Sequence, residues 1–161
     1  RELLFIPGAF PFGDGRRHLT ISRILVSTWD SVVNGRNNWG IPKDRADFEV
    51  EQGLDGGRED RVRVVSGGRE VCELRLATLR FAPSLPVPGG LLPARLRTLA
   101  QSFRGRTYYY ALAAGGRARP GRLLSWRFDA ALFPDLATAP VLAAFKIESF
   151  RMTFPVADVT G

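Results

Sequence analysis

Apolar and polar side chains alternate with a period of two along most of the chain, and this pattern predicts strands separated by turns. Arg61-Val62-Arg63-Val64-Val65 runs through Ser66-Gly67-Gly68 into residues 69–76, which predicts a hairpin around a tight glycine turn. Leu74 and Leu76 share one face, whereas Leu79 and Phe81 have changed parity, so a bulge or bend is expected near Ala77-Thr78. A second hairpin is expected from residues 107–112 and 122–128, joined by the Gly- and Pro-containing segment 115–121. Phe145 and Ile147, then Phe150, Met152 and Phe154, predict a late strand with one parity slip. Residues 26–33 also read as a strand, delivering Gly35-Arg36 to a turn rich in Asn and Gly.

Helical spacing is confined to Leu92, Leu96, Leu99 and Phe103, with a second short helix expected within residues 134–144. Residues 83–90, rich in Pro and Gly, read as a loop. No internal repeat is visible. Many strands with one or two short helices predict a mainly β fold, an antiparallel barrel-like sheet.

Composition narrows the function classes. At 161 residues with 45% hydrophobic content, the chain is expected to form a single domain over residues 1–161. It opens on Arg1 and runs straight into Leu3-Leu4-Phe5-Ile6, which reads as an excerpt lacking an N-terminal portion. No apolar run approaches the roughly 18 residues of a membrane span and no signal segment opens the chain, so a cytoplasmic, non-membrane protein is expected. With Cys72 the only cysteine and His18 the only histidine, a clustered transition-metal site is not expected. The net charge of +7 raises the question of nucleic acid, but the arginines are interleaved with Glu49, Glu51, Glu59, Asp60, Glu70 and Glu73 and no recognition motif accompanies them. No nucleic-acid partner is expected. His18 follows Arg16-Arg17 and is expected at the surface, while Tyr108, Tyr109 and Tyr110 should divide between core and surface.

The basic residues carry the chemical signal. Of 23 Lys and Arg, only Lys43 and Lys146 are lysines. Arginine keeps its charge, whereas a lysine amine can become neutral and attack a carbonyl. Pro42 fixes the backbone before Lys43, Trp39 and Ile41 supply an apolar wall that disfavours the ammonium form, and Arg36 is the local candidate for a cation that adds to this effect. On residue chemistry alone, a solvated lysine beside a turn shaped by Gly35, Gly40 and Pro42 is the commoner case.

Gly35-Arg36, followed by Trp39-Gly40-Ile41-Pro42-Lys43, resembles the signature of the acetoacetate decarboxylase family, approximately Gly-Arg-Glu-x-x-x-(Tyr/Phe)-Pro-Lys-Lys. A weaker likeness continues through Gly121-Arg122-Leu123-Leu124, Asp135-Leu136 and Pro140-Val141 to the last strand. The resemblance implies a barrel-like β fold, a homo-oligomer with no cofactor and no metal, and Lys43 as catalytic residue forming a Schiff base with a small oxo acid. Decarboxylation of a β-keto acid is the activity it implies first. Arg36 and Trp39 become candidate substrate-binding residues, with a structural ion pair the alternative for Arg36. Asp44 stands where the family has its second lysine, and Asn37 where it has glutamate. The family's upstream acidic residue aligns with Leu4 without a gap, and with Glu2 only if a small gap is opened. An aldolase-dehydratase of the same superfamily, working on pyruvate-like substrates, and a non-catalytic barrel binding a hydrophobic acid are the alternatives.

Overall fold

The computed structural model describes residues 1–79, 81–88, 93–134 and 136–161. Gly89, Gly90, Leu92 and Asp135 lie outside the described residues, and within the expected loop at 83–90 residues Leu85–Pro88 form a strand instead. The chain alternates short strands with few helical segments: β1 (Glu2–Phe5), β2 (Gly8–Pro11), β3 (Arg17–Thr20), β4 (Arg23–Val26), α1 (Trp29–Trp39), β5 (Lys43–Arg45), β6 (Asp47–Gly53), β7 (Glu59–Ser66) and β8 (Arg69–Thr78). Then follow β9 (Leu85–Pro88), β10 (Thr98–Phe103), β11 (Arg106–Ala111), β12 (Ala113–Phe128), β13 (Ala144–Thr153) and β14 (Asp158–Thr160). Single helical turns occur at Ala94–Arg97 and Leu136–Thr138. The fold is mainly β and mainly antiparallel, as expected. No helix among the described residues is long and apolar enough to cross a membrane.

Two compact units are present, each assembled from segments distant in sequence. The first comprises Arg1–Arg45, Pro88–Gly115 and Arg151–Gly161. It holds a three-stranded sheet, β1-β4-β5, and a five-stranded sheet, β14-β11-β10-β3-β2. Its core is Ile21, Ile24, Val26, Val32, Ile41, Leu99, Tyr108 and Tyr110, with Trp39 and Phe154 packed against it. The tyrosines divide by strand alternation: Tyr108 and Tyr110 are buried, and burial pushes the Tyr110 phenol upward.

The second unit comprises Ala46–Val87 and Gly116–Phe150, and contains the sheet β13-β12-β8-β7-β6. The predicted hairpin at 61–76 is present as β7 and β8, turning through Gly67 and Gly68, both at positive φ. Alternation sorts its charges onto one face, where Arg63 bonds Glu49 and Glu70, and Arg61 bonds Glu73. Such solvent-exposed pairs contribute little because water and salt screen them, so the sheet rests on its apolar positions. Lys146, the second lysine, is held at 2.6 Å by the largely buried Asp60. Cys72 is 1% exposed, and burial pushes its thiol up to about 12, aided by Glu70 and Glu73. We expect the native protein to resist a thiol-specific disulfide reagent at pH 8 and to react with one equivalent once unfolded in urea.

Several elements differ from their sequence-based expectation. Residues 107–112 do not pair with 122–128. β11 pairs with β10, while residues 122–128 lie in the long β12 against β8, and the expected connection at 115–121 is inside β12. Residues expected as helix, Thr98 onward, form β10, and only Ala94–Arg97 is helical. Leu99, Ala100 and Gln101 are all buried, so this strand is covered on both faces and shows no alternation to read. No bulge sits at Ala77-Thr78. β8 runs to Thr78, and the register shifts fall between Val64 and Val65 and between Leu123 and Ser125 on the strands beside it. The late strand does slip where expected: Ser149 in β13 has φ +52. His18 is buried at 8% exposure, contrary to expectation, because its Nε2 meets Asp14 Oδ2 at 2.7 Å and its ring packs edge-on against Tyr109. The hydrogen bond from His18 holds the Asp14 carboxyl below the usual carboxylate range.

The largest difference concerns residues 29–39, expected as strand end and turn but folded as α1. Thr28 caps the helix, its Oγ1 accepting from Ser31 N at 3.3 Å, and Asp30 and Arg36 sit at the ends favoured by the helix dipole. Gly40 closes it in the left-handed conformation, φ +62, with its N–H donating to Gly35 O. A Cβ at Gly40 would stand 2.6 Å from Tyr108 Cδ2. Gly40→Ala therefore combines left-handed strain of about 1 to 2 kcal/mol with overpacking of about 1 to 3 kcal/mol. A loss of about 2 to 5 kcal/mol in urea unfolding is expected, and an unchanged midpoint would contradict this packing.

Candidate active site

Three elements of the first unit bring the site together. β4 is the central strand of its sheet, pairing antiparallel with β1 and parallel with β5 in a register that sets Glu2 opposite Val26 and Lys43 opposite Ile24. Ile24 and Val26 are fully buried, which fixes this strand and hence the spacing of its two neighbours. α1 packs beside β5 and contributes Ser31 and Gly35.

Lys43 is 5% exposed. Its Nζ donates to Glu2 Oε1 at 2.7 Å and to Ser31 Oγ at 3.0 Å, and Ser31 Oγ donates to Glu2 Oε1 at 3.1 Å. The Phe154 ring centroid lies 5.8 Å from Nζ. The amine is thus enclosed by a carboxylate, a hydroxyl and an aromatic ring. The expectation of a solvated lysine on a turn does not hold.

Gly35 is what admits the lysine stem. A Cβ there would stand 2.5 Å from Lys43 Cδ, 2.6 Å from Cε and 3.0 Å from Cγ. The first glycine of the signature is therefore a packing requirement of the lysine eight residues later, imposed across the helix–strand contact.

Asp44 faces away from the amine. On an extended segment neighbouring side chains point to opposite sides, and the Asp44 carboxylate bonds Arg36 Nη2 at 2.6 Å and approaches Arg23 Nη1 at 3.5 Å. Arg36 also donates through Nε to Lys43 O at 2.9 Å. Its guanidinium thus clamps the backbone of Lys43 and the side chain of Asp44 together. Trp39 is half-buried, donates its indole N–H to Pro155 O at 2.7 Å and stacks at a tilt on Phe154. With Tyr108, Phe154, Val156 and Val159 it lines a cleft of about 420 Å³, of which Lys43 is not a lining residue.

Sequence reasoning singled out Lys43 but did not foresee its bond to Ser31, Gly35's packing role or the pairing with Glu2. The signal for Ser31 was present in Thr28, Asp30 and Gly40, whose spacing marks a capped helix and so sets Ser31 and Gly35 on one face. For Glu2 the sequence offered only a gapped match to the family's upstream acidic residue, since its pairing with Lys43 depends on β1 and β5 flanking the same strand.

No protein-family model matches the chain, and no curated protein does. Solved structures do match. Acetoacetate decarboxylase from Legionella pneumophila superposes with a TM-score of 0.65 at 13% identity, over 95% of this chain and 64% of that one. The fold is that of the acetoacetate decarboxylase-like proteins. The enduracididine biosynthesis enzyme MppR, complexed with the condensation product of pyruvate and imidazole 4-carboxaldehyde, matches with a TM-score of 0.58 at 16% identity over 94% of this chain and 64% of that one. MppR complexed with pyruvate matches with a TM-score of 0.55 at 16% identity, over 94% and 65%. The chain spans about 64% of the length of these structures. An acetoacetate decarboxylase-like fold was the architecture implied by the signature ending at Lys43.

Proposed function

We propose that this protein is a Schiff-base enzyme acting on a small oxo acid through Lys43, with loss of CO2 from a β-keto acid as the first reading. The observation that carries it is the enclosed Lys43 amine bonded to Glu2 and Ser31. Glu2 accepts the proton that the ammonium must lose before it attacks, and Ser31, bonded to both groups, bridges them. The neutral amine adds to the ketone, and the carbinolamine loses water to give a protonated imine. The C–C bond to the carboxylate then breaks, its electron pair moving into the imine as CO2 departs. Protonation of the enamine carbon and hydrolysis release the ketone and restore the amine. Recognition of the substrate carboxylate by Arg36 would have to compete with Asp44, its partner at 2.6 Å.

A second reading is condensation and dehydration of a pyruvate-like substrate through the same imine. It is favoured by the polar partners of Lys43, a carboxylate and a hydroxyl suited to repeated proton transfer, and by the fit to MppR, a protein captured with pyruvate. The two readings separate experimentally. Borohydride trapping with acetoacetate and with pyruvate, read by mass spectrometry, should give a covalent adduct on Lys43. Release of acetone marks decarboxylation, whereas deuterium exchange into the pyruvate methyl group marks the second reading. Absence of an adduct with every oxo acid tried would leave a non-catalytic protein binding a hydrophobic acid.

A further inference from the structure

The turn between β10 and β11 is built against local preference. Phe103 pairs with Arg106, so Arg104 and Gly105 form a two-residue loop, and both have positive φ, +52 and +75. Such a loop favours Asn-Gly or Gly-Gly, and a long side chain at its first position is strained. Backbone strain of this kind persists where the surrounding structure or a function requires the side chain.

The side chain in question is a cation that meets no carboxylate among the described residues. Among the described residues neither Arg104 nor Arg106 has a carboxylate partner, whereas Arg23, Arg36, Arg61, Arg63, Arg75 and Arg127 all do. The Arg104 guanidinium lies 5.1 Å from the Phe103 ring centroid, a cation–π contact that orients it without neutralising it. Both arginines line a cleft of about 370 Å³ with Arg36, Asn37, Phe103 and Tyr108. Asn37, Arg106 and Tyr108 also line the 420 Å³ cleft of Trp39, Phe154 and Val156, so a cationic recess runs into an aromatic and aliphatic one.

We propose that this double cleft is a binding site for an amphipathic organic anion, its carboxylate or phosphate held by Arg104, Arg106 and Asn37 and its apolar body lying against Trp39, Phe154 and Val156. Two guanidiniums and an amide present several donors to an oxyanion, and the apolar wall excludes water from the rest of the ligand. Lys43 lines neither cleft, although Phe154 lies 5.8 Å from its amine and also lines the apolar recess, and anion binding there does not depend on Schiff-base chemistry.

Calorimetric titration of the intact protein with 3-phenylpropionate, phenyl phosphate, 3-phenylpropanol and inorganic phosphate tests it. Saturable binding of at least one aryl anion is expected, with the neutral alcohol and inorganic phosphate each weaker by about tenfold or more. The tighter of the two aryl anions identifies the head group as carboxylate or phosphate. Arg104→Gly, which relieves the turn and keeps the fold, and Arg106→Gln should each weaken binding by about tenfold, while Arg122→Gln, a residue that lines neither cleft, leaves it within about twofold. The proposal is overturned by no saturable binding of either aryl anion, by equal affinity for the alcohol, or by affinity unchanged in Arg104→Gly with an unaltered melting temperature. Inorganic phosphate binding as tightly as phenyl phosphate would equally overturn it, by removing the role of the apolar recess.

Discussion

Lys43→Met is expected to fold with near-native stability and to lose borohydride-trappable adducts together with about 10⁴-fold or more in turnover of any oxo acid the native protein accepts. The two halves of this result have separate causes. Turnover falls because methionine has no nucleophile and only substrate binding remains. Stability holds because the substitution removes a cation that is 95% withdrawn from solvent and replaces it with an apolar chain of similar length. The Glu2 carboxylate is not stranded, since its side chain is 30% exposed and still accepts from Ser31 Oγ. Glu2→Gln has the opposite profile. It leaves the amine in place without its proton acceptor, so adduct formation should persist but slow by about 10²-fold or more. Native turnover in Lys43→Met, measured beside its melting curve, would remove Lys43 from the chemistry.

Gly35→Ala is expected to be destabilising, although alanine in a helix interior normally gains about 1 kcal/mol over glycine. Three consecutive carbons of Lys43 lie within 3.0 Å of the new methyl position, so the whole stem must leave its rotamer. Overpacking of this kind costs about 1 to 3 kcal/mol and exceeds the propensity gain. The displaced amine also loses its alignment with Glu2 and Ser31, and a shift of about 1 Å from productive geometry costs about 10²-fold in rate. The sign reverses once the stem is gone. In a Lys43→Ala background the same Gly35→Ala change should stabilise by up to about 1 kcal/mol, because only helix propensity remains. A double-mutant cycle by urea unfolding measures this directly, and additive effects of the two substitutions would show that Gly35 does not exist to admit the lysine.

Both experiments act on residues of one short signature, and they mark how far that signature carries. Gly35-Arg36 and Pro42-Lys43 made Lys43 conspicuous in a chain rich in arginine, and the mainly β architecture follows from alternation at residues 61–76 and 145–153. These features are local. A period of two, a glycine turn or a single lysine among arginines is visible without knowing what lies opposite.

Other features are relational. Residues 98–103 read as helix because β10 is covered on both faces and so lacks alternation, and residues 107–112 were matched to the wrong partner because a turn at Arg104-Gly105 carries no Asn-Gly mark. Asp44 looks in the sequence like a charge beside Lys43, yet strand geometry turns it to Arg36 and Arg23. Glu2 looks remote, yet it meets the amine at 2.7 Å, 41 residues away along the chain.

The sequence by itself therefore determined the strand-rich architecture and the one amine worth suspecting, because both are written in periodicity and residue type. Only the tertiary structure decided what that amine touches. Sheet order laid β1 and β5 on either side of β4, and the packing of α1 against β5 allowed a glycine to make room for the lysine, and neither relation has a counterpart in the spacing of residues along the chain.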